Sequence, residues 1–257
     1  MVATTFDPAL RTPGSFYVWM AAACALIAFG GFAPTYWLQL NPVTVVGPPL
    51  MHLHALLFSL WPLLLLSQTF LAATGRLEHH RAWGLAGIAL ASALVVVGLA
   101  TAILSLKTGL AAGYGDHQRA FFIVPVTALA MFAVFFIAAI ANLGHPEAHK
   151  RLILLATISL LQAAVARVFF VLTTGGGPGL RPDIGMPPPV IFGVAPVVVL
   201  ELLVLAGIVY DWRTRGRPHL VWLIGAALTV AVAVLRVPVS GTSAWLDFAN
   251  AASHIVG

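Results

Sequence analysis

The sequence predicts an all-α, polytopic membrane helix bundle of about seven transmembrane helices, and three observations predict it. Of the 257 residues, 60% are hydrophobic and 8% charged. The mean hydropathy is +0.98. No formal charge falls within 12–75, 82–106 or 120–146. Stretches of that length hold one or two bilayer spans of about 20 residues each. They are apolar without interruption rather than alternating with period two, which selects helices over the strands of a membrane barrel.

The first span, 15–39, contains the single cysteine, Cys24, so disulfide frameworks, iron–sulfur clusters and thiolate zinc sites lack their ligands. The chain opens Met-Val-Ala-Thr-Thr-Phe-Asp-Pro with no basic stretch ahead of an apolar run of about 25 residues, which reads as an anchor rather than a cleaved signal peptide. Breakers at Asn41-Pro42 and Pro48-Pro49 separate it from the second span, 50–73, which opens on His52 and His54. The third, 83–106, follows a basic connection ending in His79, His80 and Arg81. Gly113 and Gly115 precede the fourth, 119–143, led by Asp116, His117 and Arg119. Gly144 and Pro146 precede the fifth, 150–173, led by His149, Lys150 and Arg151. The 173–189 connection is too rich in Gly and Pro to be helical throughout. The sixth span, 189–210, and the seventh, 219–236, flank Gly216 and Pro218, and the tail after Pro238, with Trp245, Phe248 and His254, is expected along the outer interface. Trp37, Trp83, Trp212 and Trp222 fall at predicted span ends, as interfacial anchors do.

The expected organisation is one integral membrane domain over 1–257. Its core bundle is helices 2–5, about 50–173, with helix 1 and helices 6 and 7 peripheral and 237–257 as an outer-side tail. The excess of basic residues, which in a soluble chain would suggest nucleic acid, here sets orientation, because the 13 are scattered through short connections. Arg11, Arg76, Arg81, Lys150, Arg151, Arg213, Arg215 and Arg217 fall on one side, and Lys107, Arg119, Arg181 and Arg236 on the other. That bias predicts a cytoplasmic N-terminus and an outside C-terminus, with the lipid bilayer rather than nucleic acid as partner.

The histidines are the most informative polar residues, because one or two open each of four consecutive spans. Up-and-down threading starts helices 2 and 4 on the outer side and helices 3 and 5 on the inner. In a four-helix bundle alternate helices lie across the diagonal, so His54 can face His117 and His80 can face His149. Two facing neutral imidazoles suit a low-spin b-type haem. Arg81, Lys150 and Arg151 on one side and Arg119 on the other suit its propionates, and Gly84 and Gly87 would let a flat ring, or simply a neighbouring helix, approach the backbone. His52 and His54 cannot share a helix face, nor can His79 and His80. His54 is the deeper of its pair, and His145, before Pro146, reads as terminal beside an inward His149. A faint repeat relates 52–106 to 116–173, with Gly144-His-Pro-Glu-Ala-His-Lys-Arg in one copy where the other has Gly75-Arg-Leu-Glu-His-His-Arg.

On His54, His80, His117 and His149, over roughly 50–173, the chain resembles the transmembrane di-haem cytochrome b family that includes the ascorbate-dependent ferric reductases of vesicle membranes. Runs such as His-Lys-Arg-Leu-Ile-Leu-Leu-Ala-Thr-Ile also look like an uncharacterised bacterial family of small multi-span proteins. The resemblance implies two b-type haems, electron transport across a bacterial inner membrane, an oxidoreductase role, and a redox partner protein or small-molecule electron donor.

Two other readings stay open. If 145–149 is helical, His145 and His149 share a face and, with His79, His80 and Glu147 or Glu78, could hold zinc or copper; His52, His54, Asp116 and His117 could form a second, outer metal site, serving metal handling or metalloenzyme chemistry. A cofactor-free scaffold or partner subunit would use its polar residues only to tie helices together. Glu201 lies about 18 Å into the sixth helix, near the bilayer middle, and reads as a proton-relay candidate with Gln162 at comparable depth. Arg167, near the outer end of the fifth helix, reads as a snorkelling cation, with a haem propionate or an anionic substrate as alternatives. No Gly-x-Ser-x-Gly elbow, phosphate loop, dinucleotide fingerprint or His-Glu-x-x-His occurs.

Overall fold

The computed structural model describes residues 13–40, 47–177 and 185–255. Arg11, Arg181, the Asn41-Pro42 breaker and the middle of the 173–189 connection lie outside them. Among the described residues there is no strand. Seven helices among these residues are long and apolar enough to cross a bilayer: α1 (Pro13–Phe32), α2 (Pro49–Ala73), α3 (Leu77–Ala111), α4 (Gly115–Ala141), α5 (Pro146–Thr174), α6 (Val194–Arg215) and α7 (Leu220–Val239). A short eighth helix, α8 (Ser243–Ala252), follows.

Local chemistry explains the boundaries. Pro49 and Pro146 occupy first-turn positions, where a missing N–H costs nothing. Gly75 and Gly216 end α2 and α6 in the left-handed region, at φ 74° and 76°, where side chains with a Cβ are disfavoured. α4 breaks at Phe122 because Pro125 offers no N–H to the Phe121 carbonyl. α3 starts six residues earlier than the charge pattern predicts and spans 35 residues, about 52 Å at 1.5 Å per residue, so its charged first turns project beyond the hydrocarbon.

Successive helices alternate in direction, and α1 to α5 close into a ring in which α1 lies between α2 and α5, running parallel to α5. The sequence places α1 at the periphery; instead Ala21 and Cys24 are fully buried, and Gly31 brings α1 so close to α5 that a Cβ there would overlap the Ala164 carbonyl. α6 and α7 pack outside the ring against α4 and α5 and add Leu200, Val204 and Trp222 to the same core. Many large apolar side chains face outward on every helix, among them Leu26, Val96, Ile137, Leu172, Leu202 and Ile224. Lipid is the solvent such a surface requires.

Candidate functional site

The two ends of the ring differ. The end carrying the α2–α3, α4–α5 and α6–α7 connections is the one the basic residues predict to be inner, and the opposite end the one they predict to be outer.

At the inner end the first turn of α5 meets the last turn of α6. Arg151 and Asp211 are 1% and 0% exposed and form a two-pronged pair, with Arg151 Nε donating to Asp211 Oδ2 at 2.9 Å and a second donor to Oδ1. The remaining terminal nitrogen of Arg151 donates to the carbonyl oxygen and Oε2 of Glu147. Glu147 also accepts from Lys150, at 2.6 Å, and from Arg215. Asp211 accepts the His219 backbone N–H at 3.1 Å, and Lys150 sits 4.4 Å over the Tyr17 ring. Every ionised group here has a partner, as buried charge demands. His219 caps α7 by accepting the Val221 N–H on Nδ1; burial first, then the nearby Arg151, holds its imidazole below the ordinary histidine range.

The outer half encloses a cavity of about 560 Å³ walled by α1 to α5, within the size range of small-molecule and cofactor pockets. Its lining is largely aromatic and aliphatic, including Phe29, Phe32, Trp37, Phe58 and Phe121. The floor is Trp61, whose Nε1 donates across the ring to Thr157 Oγ1 at 3.0 Å and whose indole meets Phe132 edge-on. On the wall stands His54, stacked on Phe58 with centroids 4.0 Å apart, its Nδ1 buried and without a hydrogen-bond partner. Arg167 lines the same space, its guanidinium 4.3 Å from the Phe32 ring.

The other predicted ligands are placed differently. His117 does not line the cavity; its Nε2 donates to the carbonyl of Pro187, a wall residue, at 2.6 Å. His80 and His149 direct Nδ1 to the carbonyls of Gln68 and Ala139, at 3.2 and 2.9 Å, and line neither cavity described. The diagonal geometry expected of a four-helix bundle does not arise, because α1 takes a place in the ring. His52 bonds the Tyr36 hydroxyl at 3.0 Å, and His79 and His145 are exposed. Among the described residues no three His, Cys, Asp or Glu side chains are grouped as metal ligands, and Asp116 pairs with Arg119 at 2.8 Å.

The basic residues assigned to propionates also stand elsewhere. Arg81 is exposed, Arg151 is committed to Asp211, and Arg119 bonds Asn250 and offers its carbonyl to Trp245, anchoring α8. Gly84 has open space around it and Gly87 only Leu64 at contact distance, so neither marks a close approach. Sequence reasoning passed over Asp211. A carboxylate one turn from a helix C-terminus lies toward the negative end of the dipole and calls for a cation, which is its available signal.

A second, smaller cavity of about 30 Å³ lies between α4, α5, α6 and α7. Glu201 and Gln162 both line it, but they do not bond each other: Glu201 meets the Thr229 hydroxyl at 2.5 Å, and Gln162 Oε1 accepts from Arg236 at 2.9 Å. No family model matches the chain, and neither a curated protein nor a solved structure matches it.

Proposed function

We propose that the protein is a membrane electron carrier that holds one b-type haem in its outer-half cavity. The observation that carries this reading is His54, an imidazole with a buried, unpartnered nitrogen on the wall of a large, mainly apolar cavity. A buried polar atom left unpaired costs about 1–3 kcal/mol, and such a cost is retained where the group has a ligand to meet. The residues present fit a flat apolar macrocycle with an anionic edge: His54 would supply a nitrogen ligand, Phe29, Phe32 and Phe58 would supply apolar contact, and Arg167 a cation for a carboxylate. His117 lies behind Pro187, with Nε2 on its carbonyl, so His54 is the one histidine among the lining residues. When bound, the haem supplies one-electron chemistry. The protein's own part is to exclude water, through the Trp61 floor and the surrounding phenyl rings, and to place positive charge beside the carboxylates.

This reading keeps one of the two haems expected from the order of histidines, since His80 and His149 line neither cavity. It places the end with Arg76, Arg81, Lys150, Arg213, Arg215 and Arg217 in the cytoplasm of a bacterium and the cavity on the far side of the inner membrane, by the bias of basic residues. Electrons would then be exchanged with a redox protein or a small donor on that far side.

The test is a reduced-minus-oxidised visible spectrum of the protein purified in mild detergent, with iron, zinc and copper measured on the same sample. A b-type α-band with one iron per chain is expected. Stoichiometric zinc or copper without haem would replace this reading with a metal site, and neither haem nor metal would leave a scaffold.

A further inference from the structure

The cavity between α4, α5, α6 and α7 stands apart from the haem reading and from the inner ion pairs. Twelve residues line it, and of these only Glu201 and Arg236 are ionisable; the other polar ones are Thr127, Ser159, Gln162 and Thr229. Arg236 is 3% exposed. It donates to Gln162 Oε1 and to the Gly193 carbonyl, and its Nε is buried without a partner. Guanidinium remains charged at any pH a protein survives, so a cation is held here by neutral acceptors with one donor unmet. A space of about 30 Å³ exceeds the roughly 10–15 Å³ that one water requires, and its polar lining supplies the 2–4 partners a buried water takes.

The hydrogen count at Thr229 adds a second constraint. Its single hydroxyl proton faces Glu201 Oε1 at 2.5 Å and the Gly225 and Ala226 carbonyls at 2.9 and 3.0 Å. If the hydroxyl donates to its own helix, as threonine commonly does to the carbonyl four residues back, the short contact to Glu201 needs a proton from the carboxyl. A neutral carboxylic acid donating to Thr229 satisfies both oxygens. It also avoids leaving an ionised carboxylate in the membrane interior with no direct cation bond.

We propose that this pocket is a proton-binding site. Glu201 carries a proton within the membrane and exchanges it with one water lodged in the pocket, which in turn meets the free Nε of Arg236. The exchange moves one proton from carboxyl oxygen to water oxygen and back, with no change in oxidation state. Arg236 lies seven residues beyond Thr229 on α7, about 10 Å nearer the outer end, so the pocket leads from mid-membrane toward that surface.

Infrared difference spectroscopy of the full-length protein in lipid nanodiscs tests this. A protonated carboxyl C=O band is expected at neutral pH, downshifted in D₂O, absent in Glu201→Gln and moved to higher frequency in Thr229→Val, which removes its acceptor. Ala233→Leu, which fills the pocket, is expected to slow the D₂O shift severalfold. No such band, or a band that survives Glu201→Gln, would overturn the proposal. Should Glu201→Gln fail to fold, a band unmoved by Thr229→Val would overturn it equally. An unchanged exchange rate in Ala233→Leu would remove the water from it.

Discussion

The inner and outer ends of the five-helix ring hold their buried polar groups in different ways. At the inner end Arg151 and Asp211 are wholly buried, and the hydrogen-bonding groups of both are taken up by neighbouring protein. At the outer end the ring opens into a cavity where His54 keeps a buried nitrogen unpaired. Tyr17 Oη, Gln68 Nε2 and Trp222 Nε1, toward the inner end, are also buried without partners, but they line neither cavity described, whereas the His54 nitrogen stands beside empty space and marks a candidate site. On the proposed haem reading, the histidine-rich inner connections are architecture and the chemistry belongs to the outer half.

The contrast can be broken first at Asp211. Asp211→Ala strands the Arg151 cation in the interior, and removing one partner of a buried pair costs about 3–5 kcal/mol. The unfolding midpoint in detergent is expected to fall more than for any other single change considered; an unchanged midpoint would mean that the inner end is not the fastener. A smaller loss is expected for Trp61→Phe, which keeps a ring in the cavity floor but removes the bond to Thr157, worth about 1 kcal/mol. Retention of the native midpoint in that variant would show that the floor is held by packing alone.

Acid sharpens the same comparison. His219 is held below its ordinary range, so the unfolded chain takes up its proton first as pH falls. The stability it contributes is present above the unfolded pKa of about 6.5 and is lost as pH falls from there through the folded value. Midpoints measured across that range should decline toward acid, and the decline should lessen in His219→Asn, which can still cap α7; an undiminished decline would assign it to another group. The smallest effect is expected of Arg215→Ala. Its contact with Glu147 joins two side chains that are each about two-fifths exposed, and such pairs contribute about 0–1 kcal/mol. A drop rivalling that of Asp211→Ala would show the outlying charges to be as essential as the buried pair.

Much of this architecture was legible in the sequence because membrane spans are written locally. Charge-free length and Gly or Pro punctuation located all seven helices. The start of α3 is not legible because Glu78, His79, His80 and Arg81 read as connection, whereas a helix can continue into water once it has cleared the lipid. Histidine order was visible, but histidine pairing was not. Pairing depends on which helices are neighbours, and nothing local announces that α1 enters the ring through the close approach at Gly31 and Ala164. The Arg151–Asp211 pair joins residues 60 positions apart, beyond any motif. The sequence puts Arg236 among the outer-side cations, whereas the fold turns it inward onto Gln162.

The most direct test of the outer half as the functional one is haem content per chain in four matched preparations: native, His54→Ala, His80→Ala and His149→Ala. One b haem in the native protein, lost only with His54 and kept in both inner variants, is the expected result. Two haems in the native protein, or loss on replacing His80 or His149 with retention in His54→Ala, would contradict it.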